Sequence, residues 1–398
     1  MEILKLLIPL AILIGLLALR KNFAFTILIS GIILGLLFKM TIKEILLYSF
    51  KALTEKDTLT LLAIIYLVLV LGELLKAKKS LENLVEGLEG IVKKKKLIIS
   101  VAPAIIGLLP MPGGALVSAP ILDQALKNDP VAPEQKTFIN FWFRHIWEYL
   151  WPLYQGLILT AAIFRVDIVN LIKAQYFFTP IAVAIGTFSL VFLIPPLREN
   201  TFNRSVKTSL KKLIISLWEI LLIVLLMMVL KVDLLLSIAL TILLSLLLLK
   251  GTPKQKVIML KKGFNWNILS IICAVMIFKN MVLHSQMVKL TEEIIHSAGP
   301  YEKLIMFLIP FSIGFLTGVN TAFAGIAFPF FIPSVGTAQP VLQKIVFLYV
   351  SGFTGVLLSP FHLCFVLSAE YYKANLLKVY RYLGPSVFLI ILILFTFF

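Results

Sequence analysis

The chain has 398 residues, of which 60% are hydrophobic and only 14% are charged, and its mean hydropathy is +1.00. A composition this apolar excludes an ordinary water-soluble domain and indicates an integral membrane protein. The net charge of +17 would suggest a nucleic-acid partner in a soluble protein. In a membrane protein it is explained by lysines and arginines in cytoplasmic loops and at lipid headgroups, so no nucleic-acid partner is expected.

Long apolar runs predict an all-α membrane protein with about 10 transmembrane helices rather than a β-barrel. The first run has no small-residue cleavage site and is interpreted as a retained helix. Segment 40–57 is amphipathic and too charged to cross, so it is predicted to lie at the membrane interface. In chain order, the predicted spans are 2–19, 22–39, 58–75, 142–163, 174–197, 212–230, 232–250, 266–284, 344–369 and 382–398.

One apolar stretch, 97–122, contains too many prolines and glycines to form a single straight helix. Its first arm, 97–109, would be roughly 20 Å long, which is shorter than the ~30 Å hydrocarbon core. We therefore expect a re-entrant hairpin that turns at Pro110–Gly114 and leaves on the side it entered. Irregular backbone at that depth is tolerated only when protein buries it or when it lines a wet cavity.

The second half of the chain repeats the pattern of the first. Lys96-Leu97-Ile98 aligns with Lys303-Leu304-Ile305, and Pro152 aligns with Pro360 at nearly the same offset. The alignment predicts a second hairpin over 303–333 and a second proline-broken span over 344–369. The chain is accordingly divided into repeat 1, residues 1–200, and repeat 2, residues 205–398.

Each repeat would contain five crossings and one hairpin, and an odd number of crossings requires the two repeats to have inverted topology. When loop 76–96 is placed in the cytoplasm, 24 of the 37 lysines and arginines fall in cytoplasmic segments, as the positive-inside rule expects. This orientation predicts external termini, a first hairpin entering from the cytoplasm and a second entering from outside.

The hairpin turns are the first candidate binding positions, because helix ends present unpaired N–H groups to anions and free carbonyls to Na⁺. In the first hairpin, Gly113 and Gly114 allow close backbone approach and Ser118 is the nearest hydroxyl. In the second, Thr317, Asn320 and Thr321 offer side-chain ligands, with a Na⁺ ion at Asn320 and Thr321 as the only metal suggested. The alternative is that these residues only form and cap the turns.

The two broken spans are the second candidate. Arg144, His145 and Glu148 lie within span 142–163, where ionisable groups are costly and usually mark a pathway. Arg144 or His145 would attract an anion, and His145 or Glu148 would carry a proton. The alternative is a structural Arg144–Glu148 pair near the headgroups, with the neighbouring tryptophans as an aromatic belt. The counterpart span contributes Thr354 and Ser359 as ion ligands and His362, beside its proline, as a substrate-binding candidate; the alternative for His362 is a hydrogen-bonded structural histidine.

Enzyme motifs are absent from the sequence. It contains no P-loop, no H-E-x-x-H and no G-x-S-x-G, and no Cys and His residues have the spacing of a metal site. The cysteines, Cys273 and Cys364, lie in apolar segments, so no disulfide framework is expected. We therefore expect neither an enzyme nor any cofactor beyond Na⁺.

The arrangement of two hairpins and five-plus-five inverted spans resembles the ion transporter superfamily of citrate, dicarboxylate and gluconate permeases. Val319-Asn320-Thr321 is similar to the Ser-Asn-Thr type of hairpin tip in that superfamily, whereas Pro112-Gly113-Gly114 differs from it. Within the superfamily, the stretch GLLPMPGGALVSAP followed by FRHIWEYLWPLYQGL most resembles an uncharacterised prokaryotic family of ten-span proteins. The resemblance implies a homodimer, in which the first three spans of each repeat form a scaffold and the hairpins and broken spans move.

These observations favour a multi-pass secondary transporter of the cytoplasmic membrane, coupled to Na⁺ or H⁺, for a small organic anion such as a carboxylate. Binding is expected between the two hairpin tips. Two other classes stay open: an intramembrane enzyme that uses His145, Glu148 and His362, and a channel or non-transporting membrane component. The enzyme requires the two histidines to be close together.

Overall fold

A computed structural model describes residues 22–78, 95–108, 114–127, 129–192, 194–197, 206–249, 252–285, 297–336 and 341–398, with isolated positions in 8–16, 80–87 and 290–293. This part of the chain is helical and contains no β-strand. Six of its helices are long and apolar enough to cross a membrane, or seven if one bent pair is counted as a single span. The protein is therefore a multi-helix membrane protein, as its composition predicts.

The first half forms nine described helices. Their bounds are α1 Phe23–Leu37, α2 Ile42–Thr54, α3 Lys56–Ala77, α4 Lys95–Gly107, α5 Ala115–Ala125, α6 Pro133–Arg144, α7 Gln155–Phe164, α8 Ile168–Gln175 and α9 Phe178–Phe192. Helices α8 and α9 form the bent pair, with an angle of 41° between them.

The second half forms nine more. Their bounds are α10 Val206–Val224, α11 Leu234–Leu248, α12 Pro253–Gly263, α13 Trp266–His284, α14 Glu302–Thr317, α15 Asn320–Val335, α16 Leu342–Leu358, α17 Leu363–Tyr372 and α18 Leu376–Phe397. Helix α10 continues as a π-helical turn over Leu225–Val229, and a 3₁₀ turn over Gly299–Tyr301 precedes α14.

Contacts between the halves occur in reciprocal pairs. Helix α1 packs on α13 and α11 packs on α3, while α2 packs on α13 and α12 packs on α3. The second helix of each hairpin, α5 or α15, also makes a reciprocal contact: α5 contacts α17, and α15 contacts α7. Within each half, the first hairpin arm packs on the helix before the break: α4 on α6, and α14 on α16.

Several observed bounds differ from the predicted ones. The helix before the first break begins at Pro133, nine residues before the predicted span 142–163, because Pro133 occupies the favoured first helical turn after Ala132. Helix α12 lies in a segment predicted to be a loop, and it starts with a Thr252–Gln255 capping box. Span 2–19 and the first hairpin turn at 109–113 lie outside the described residues, apart from isolated positions in the former.

Helix α2 corresponds to the segment predicted to lie at the interface. It begins with a capping box, in which the Thr41 backbone N–H donates to the Glu44 carboxylate at 2.7 Å. This hydrogen bond, and a second one from the Thr41 hydroxyl, lower the pKa of Glu44. The apolar side chains of Ile42, Leu46 and Phe50 are exposed, so a membrane surface would cover them.

Candidate functional site

The second hairpin turns tightly against the break in the other span of its own half. Helix α14 ends at Gly318, which adopts a left-handed conformation with φ of 66°. Only glycine fits this position well, because a Cβ there would meet the backbone of His362 at 2.6 Å. Helix α15 then begins at Asn320, which is partly buried, and the helix is buried from Thr321 to Ile332.

The first broken span is interrupted over ten residues, from α6 to α7, and side chains from this break cap the first hairpin. The Trp147 indole N–H donates to the Ala104 carbonyl at 2.7 Å, and the Trp151 indole donates to Leu108 at 2.9 Å. The Tyr154 hydroxyl donates to the Gly107 carbonyl. Carbonyls in the last turn of a helix have no N–H of their own helix to accept from, so these three side chains fix the end of α4 to the break.

The two halves use the same close contact beside their breaks. Gly107 in α4 and Gly314 in α14 each face a backbone carbonyl of the helix that precedes the break. An added Cβ would lie 2.2 Å from the oxygen of Arg144 in the first case and 2.2 Å from that of Gly352 in the second. Glycine is therefore required at both positions for the hairpins to pack at this distance.

The centre of the candidate site joins the first break to the second hairpin. The Asn320 amide nitrogen donates to the Glu148 carboxylate at 2.6 Å. The buried Tyr349 hydroxyl donates to the Glu148 backbone carbonyl at 3.0 Å. The side-chain oxygen of Asn320, Oδ1, is buried and has no hydrogen-bond partner among the described residues. This polar centre connects residues that are 172 positions apart in sequence.

The histidines of the two breaks face one another. Their Nε2 atoms lie 3.0 Å apart, and the rings are nearly perpendicular, at 74°. The sulfur of Cys364 belongs to the same group, since one ligand atom from each of the three residues lies within 4.8 Å of the others. Sequence spacing did not reveal this group, because His145 comes from the first half and the His362-x-Cys364 pair comes from the second.

Arg144 supplies the positive charge of the site. It is buried, with 4% of its surface exposed, and its guanidinium lies directly against Gly114, where a Cβ would come within 2.3 Å. The predicted i,i+4 relation to Glu148 does not occur within one helix, because α6 ends at Arg144.

The remaining predicted residues have mainly local roles in the described structure. Ser118 and Thr354 are fully buried and bond carbonyls of their own helices at 3.3 and 2.8 Å. Thr317 bonds Ile313 at 2.7 Å, and Ser359 accepts from the Phe361 backbone at 3.2 Å. Thr321 is buried at the start of α15, and Gly113 lies outside the described residues.

A cavity of about 780 Å³ lies at the far end of α7 from the histidines. Charged residues of both signs line it, including Asp57, Arg165 and Lys231. Lys279 lies close to this region, with 1% of its surface exposed and its ammonium donating to the Ala162 carbonyl at 3.2 Å. We did not single out Lys279 from the sequence, although a lysine within the predicted span 266–284 is the signal that could have identified it.

Fold and site together define a multi-pass helical membrane protein in which two interrupted helices, and the helix pairs α4–α5 and α14–α15 beside them, bring ionisable side chains into the interior. The chain belongs to the family described as protein of unknown function (DUF401), whose profile matches residues 2–397. A comparison with curated proteins finds no match.

Proposed function

We propose that the protein is a secondary transporter that moves a small organic anion, such as a carboxylate, across the cell membrane by alternating access, coupled to Na⁺ or H⁺. The observation that carries this proposal is the hydrogen bond of 2.6 Å between Asn320 and Glu148. It joins the turn of one hairpin, where Asn320 is partly buried, to the buried Glu148 in the break of the other half. Discontinuous helices meeting at mid-depth are the usual binding architecture of secondary transporters.

The reciprocal contacts support an inverted duplication with ten crossings and two re-entrant hairpins. Helices α5 and α15 each contact the helix that follows the break in the other half, as expected for two repeats related by a pseudo-two-fold axis. The matched approaches of Gly107 and Gly314 agree with the same arrangement. In this proposal the spans before each hairpin form a dimeric scaffold, both termini are external, and the hairpins and broken helices move.

Local charge favours an anionic substrate. Four helices begin at a hairpin turn or at a break: α5, α7, α15 and α17. The N-terminus of each helix carries a partial positive charge. Arg144 adds a full positive charge beside the start of α5. A carboxylate could accept from Arg144 and these N–H groups, while Glu148 and the free Asn320 oxygen would hold the coupling Na⁺ or proton.

Uptake into proteoliposomes tests the proposal. The purified protein is reconstituted, and labelled mono-, di- and tricarboxylates are screened under an inward Na⁺ gradient, an inward proton gradient and no gradient. We expect one of the two gradients to drive accumulation of at least one carboxylate. The Asn320→Ala variant should lose most of this uptake, because it removes the link to Glu148.

The matched control is Asn267→Ala, an exposed position at the start of α13, which should transport like the wild type. Absence of gradient-driven uptake for every carboxylate would contradict the proposal. Uptake that is equal in Asn320→Ala and Asn267→Ala would contradict the placement of the site.

The intramembrane enzyme remains a second candidate, because His145 and His362 lie 3.0 Å apart and so meet its geometric requirement. Conversion of a supplied substrate, with no accumulation of unchanged label inside the vesicles, would favour that candidate. A channel would be favoured if the labelled anion crossed the vesicle membrane passively and if preloading the vesicles with unlabelled anion did not increase its rate of entry.

A further inference from the structure

The ring orientations of His145 and His362 determine which of their nitrogens can bind a ligand. The Nδ1 atom of His145 lies 2.6 Å from the Phe141 carbonyl oxygen, and that of His362 lies 2.6 Å from the Gly318 carbonyl oxygen. A carbonyl can only accept, so each Nδ1 carries a hydrogen. In the neutral imidazoles, both Nε2 atoms therefore present lone pairs.

These two lone pairs point at each other across 3.0 Å. Two acceptors at that distance repel unless a positively charged species lies between or beside them. The Cys364 sulfur adds a third donor, which lies within 4.8 Å of a ring nitrogen of each histidine. His145 lies in the first break, His362 lies in the second, and Cys364 lies in the first turn of α17, so a bound cation would connect the two breaks.

From this donor set we propose that His145, His362 and Cys364 form a binding site for a transition-metal ion of the zinc class. Two imidazole nitrogens and one thiolate suit Zn²⁺ and its relatives better than Na⁺ or Mg²⁺. Hydrogen bonds from Nδ1 to backbone carbonyls are the usual second shell of metal-binding histidines. This proposal goes beyond transport and does not depend on it.

The distances agree with such an ion. A metal about 2.1 Å from both nitrogens would make an N–metal–N angle of roughly 90° at the observed separation. An increase of about 0.4 Å between the nitrogens would bring the angle to the tetrahedral value. Three protein ligands leave a fourth position open for water or an anion. The rings of Phe141 and Phe365, 5.1 Å apart, provide an apolar wall.

Cobalt substitution tests the proposal in the full-length protein in detergent. The protein is stripped with a chelator, desalted and titrated with Co²⁺, and its absorption spectrum is recorded. Thiolate coordination gives an intense near-ultraviolet charge-transfer band, and tetrahedral Co²⁺ gives visible bands. We expect both to saturate at one ion per chain and to be displaced by equimolar Zn²⁺.

The chain contains only two cysteines, so Cys273→Ser is a matched control. Cys273 lies in α13 and is not part of the group, and this variant should keep the charge-transfer band. Cys364→Ser should lose the band, and His145→Asn should weaken Co²⁺ binding by about tenfold or more. Because the band in Cys273→Ser can come only from Cys364, this test does not require the ligand variants to fold.

The readouts also identify the alternatives. A protein that binds no Co²⁺ and retains no Zn²⁺ would overturn the proposal, and a proton shared between the two Nε2 atoms would then account for their approach. A band that disappears in Cys273→Ser would also overturn it, because the metal would then be bound elsewhere. Neither result would depend on whether the protein transports an anion.

Discussion

The close packing of each hairpin on its neighbouring helix predicts a large effect of adding one methyl group. In a Gly314→Ala protein, the new Cβ would lie 2.2 Å from the Gly352 carbonyl oxygen. Helices α14 and α16 would have to separate by roughly 1 Å to restore a van der Waals distance. That separation would also disturb Gly318, four residues further along, which packs on His362.

The expected cost follows from overpacking, which destabilises a well-packed core by about 1–3 kcal/mol. Gly72→Ala is the control, because a Cβ at Gly72 in α3 meets nothing within 4 Å and no proline directly follows it in the chain. It should stabilise its helix by about 0.5–1 kcal/mol, since alanine loses less backbone entropy than glycine. The two variants should therefore differ by about 1.5–4 kcal/mol in free energy of unfolding.

The difference is measured by reversible unfolding in mixed micelles of mild detergent and dodecyl sulfate, followed by tryptophan fluorescence and circular dichroism. Gly107→Ala should behave like Gly314→Ala, because its Cβ would meet the Arg144 carbonyl at the same 2.2 Å. A Gly314→Ala protein as stable as Gly72→Ala would refute the close approach. A large loss for Gly314→Ala alone would refute the equivalence of the two hairpins.

Further predictions concern buried polar pairs. In a double-mutant cycle, Glu148→Ala and Asn320→Ala should show a coupling energy of about 1.5–3 kcal/mol, because hydrogen bonds to charged groups have that strength. Additive effects of the two substitutions on the free energy of unfolding would contradict their contact. Asp129→Asn should cost about 3–5 kcal/mol, because it leaves the buried Lys95 ammonium, 2.6 Å from the aspartate, without a charged partner. Glu73→Gln, which breaks a partly exposed pair, should cost less than about 1 kcal/mol, and equal losses in the two would contradict this difference in burial.

Much of the fold could be predicted from sequence because the membrane imposes strict rules on apolar segments. Span 266–284 matches α13 residue for residue, and the interfacial segment 40–57 contains α2. The predicted start of the first broken span was wrong. Polar residues between Pro133 and Asn140 lower the hydropathy of this segment, although other parts of the protein bury most of the helix. Hydropathy reports the contact of a segment with lipid and not its contact with other helices.

The site was only partly predictable. Proline and glycine marked the hairpins, and charge marked Glu148 and His145, because both signals are local. The partners of these residues depend on how the halves pack, so neither Tyr349 nor Cys364 was found. Cys364 had the weakest signal, since a cysteine in an apolar helix is usually a small buried side chain.

Solute counterflow tests the central claim most directly, because it requires neither a known coupling ion nor a gradient of any ion. Proteoliposomes are loaded with an unlabelled carboxylate, diluted, and given a trace of the same labelled compound outside. A carrier whose site includes Arg144 and the Glu148–Asn320 pair should accumulate label transiently above its equilibrium level, and Asn320→Ala should abolish the overshoot. Label that only rises to equilibrium, or that never enters with any carboxylate, would contradict an alternating-access carrier of organic anions.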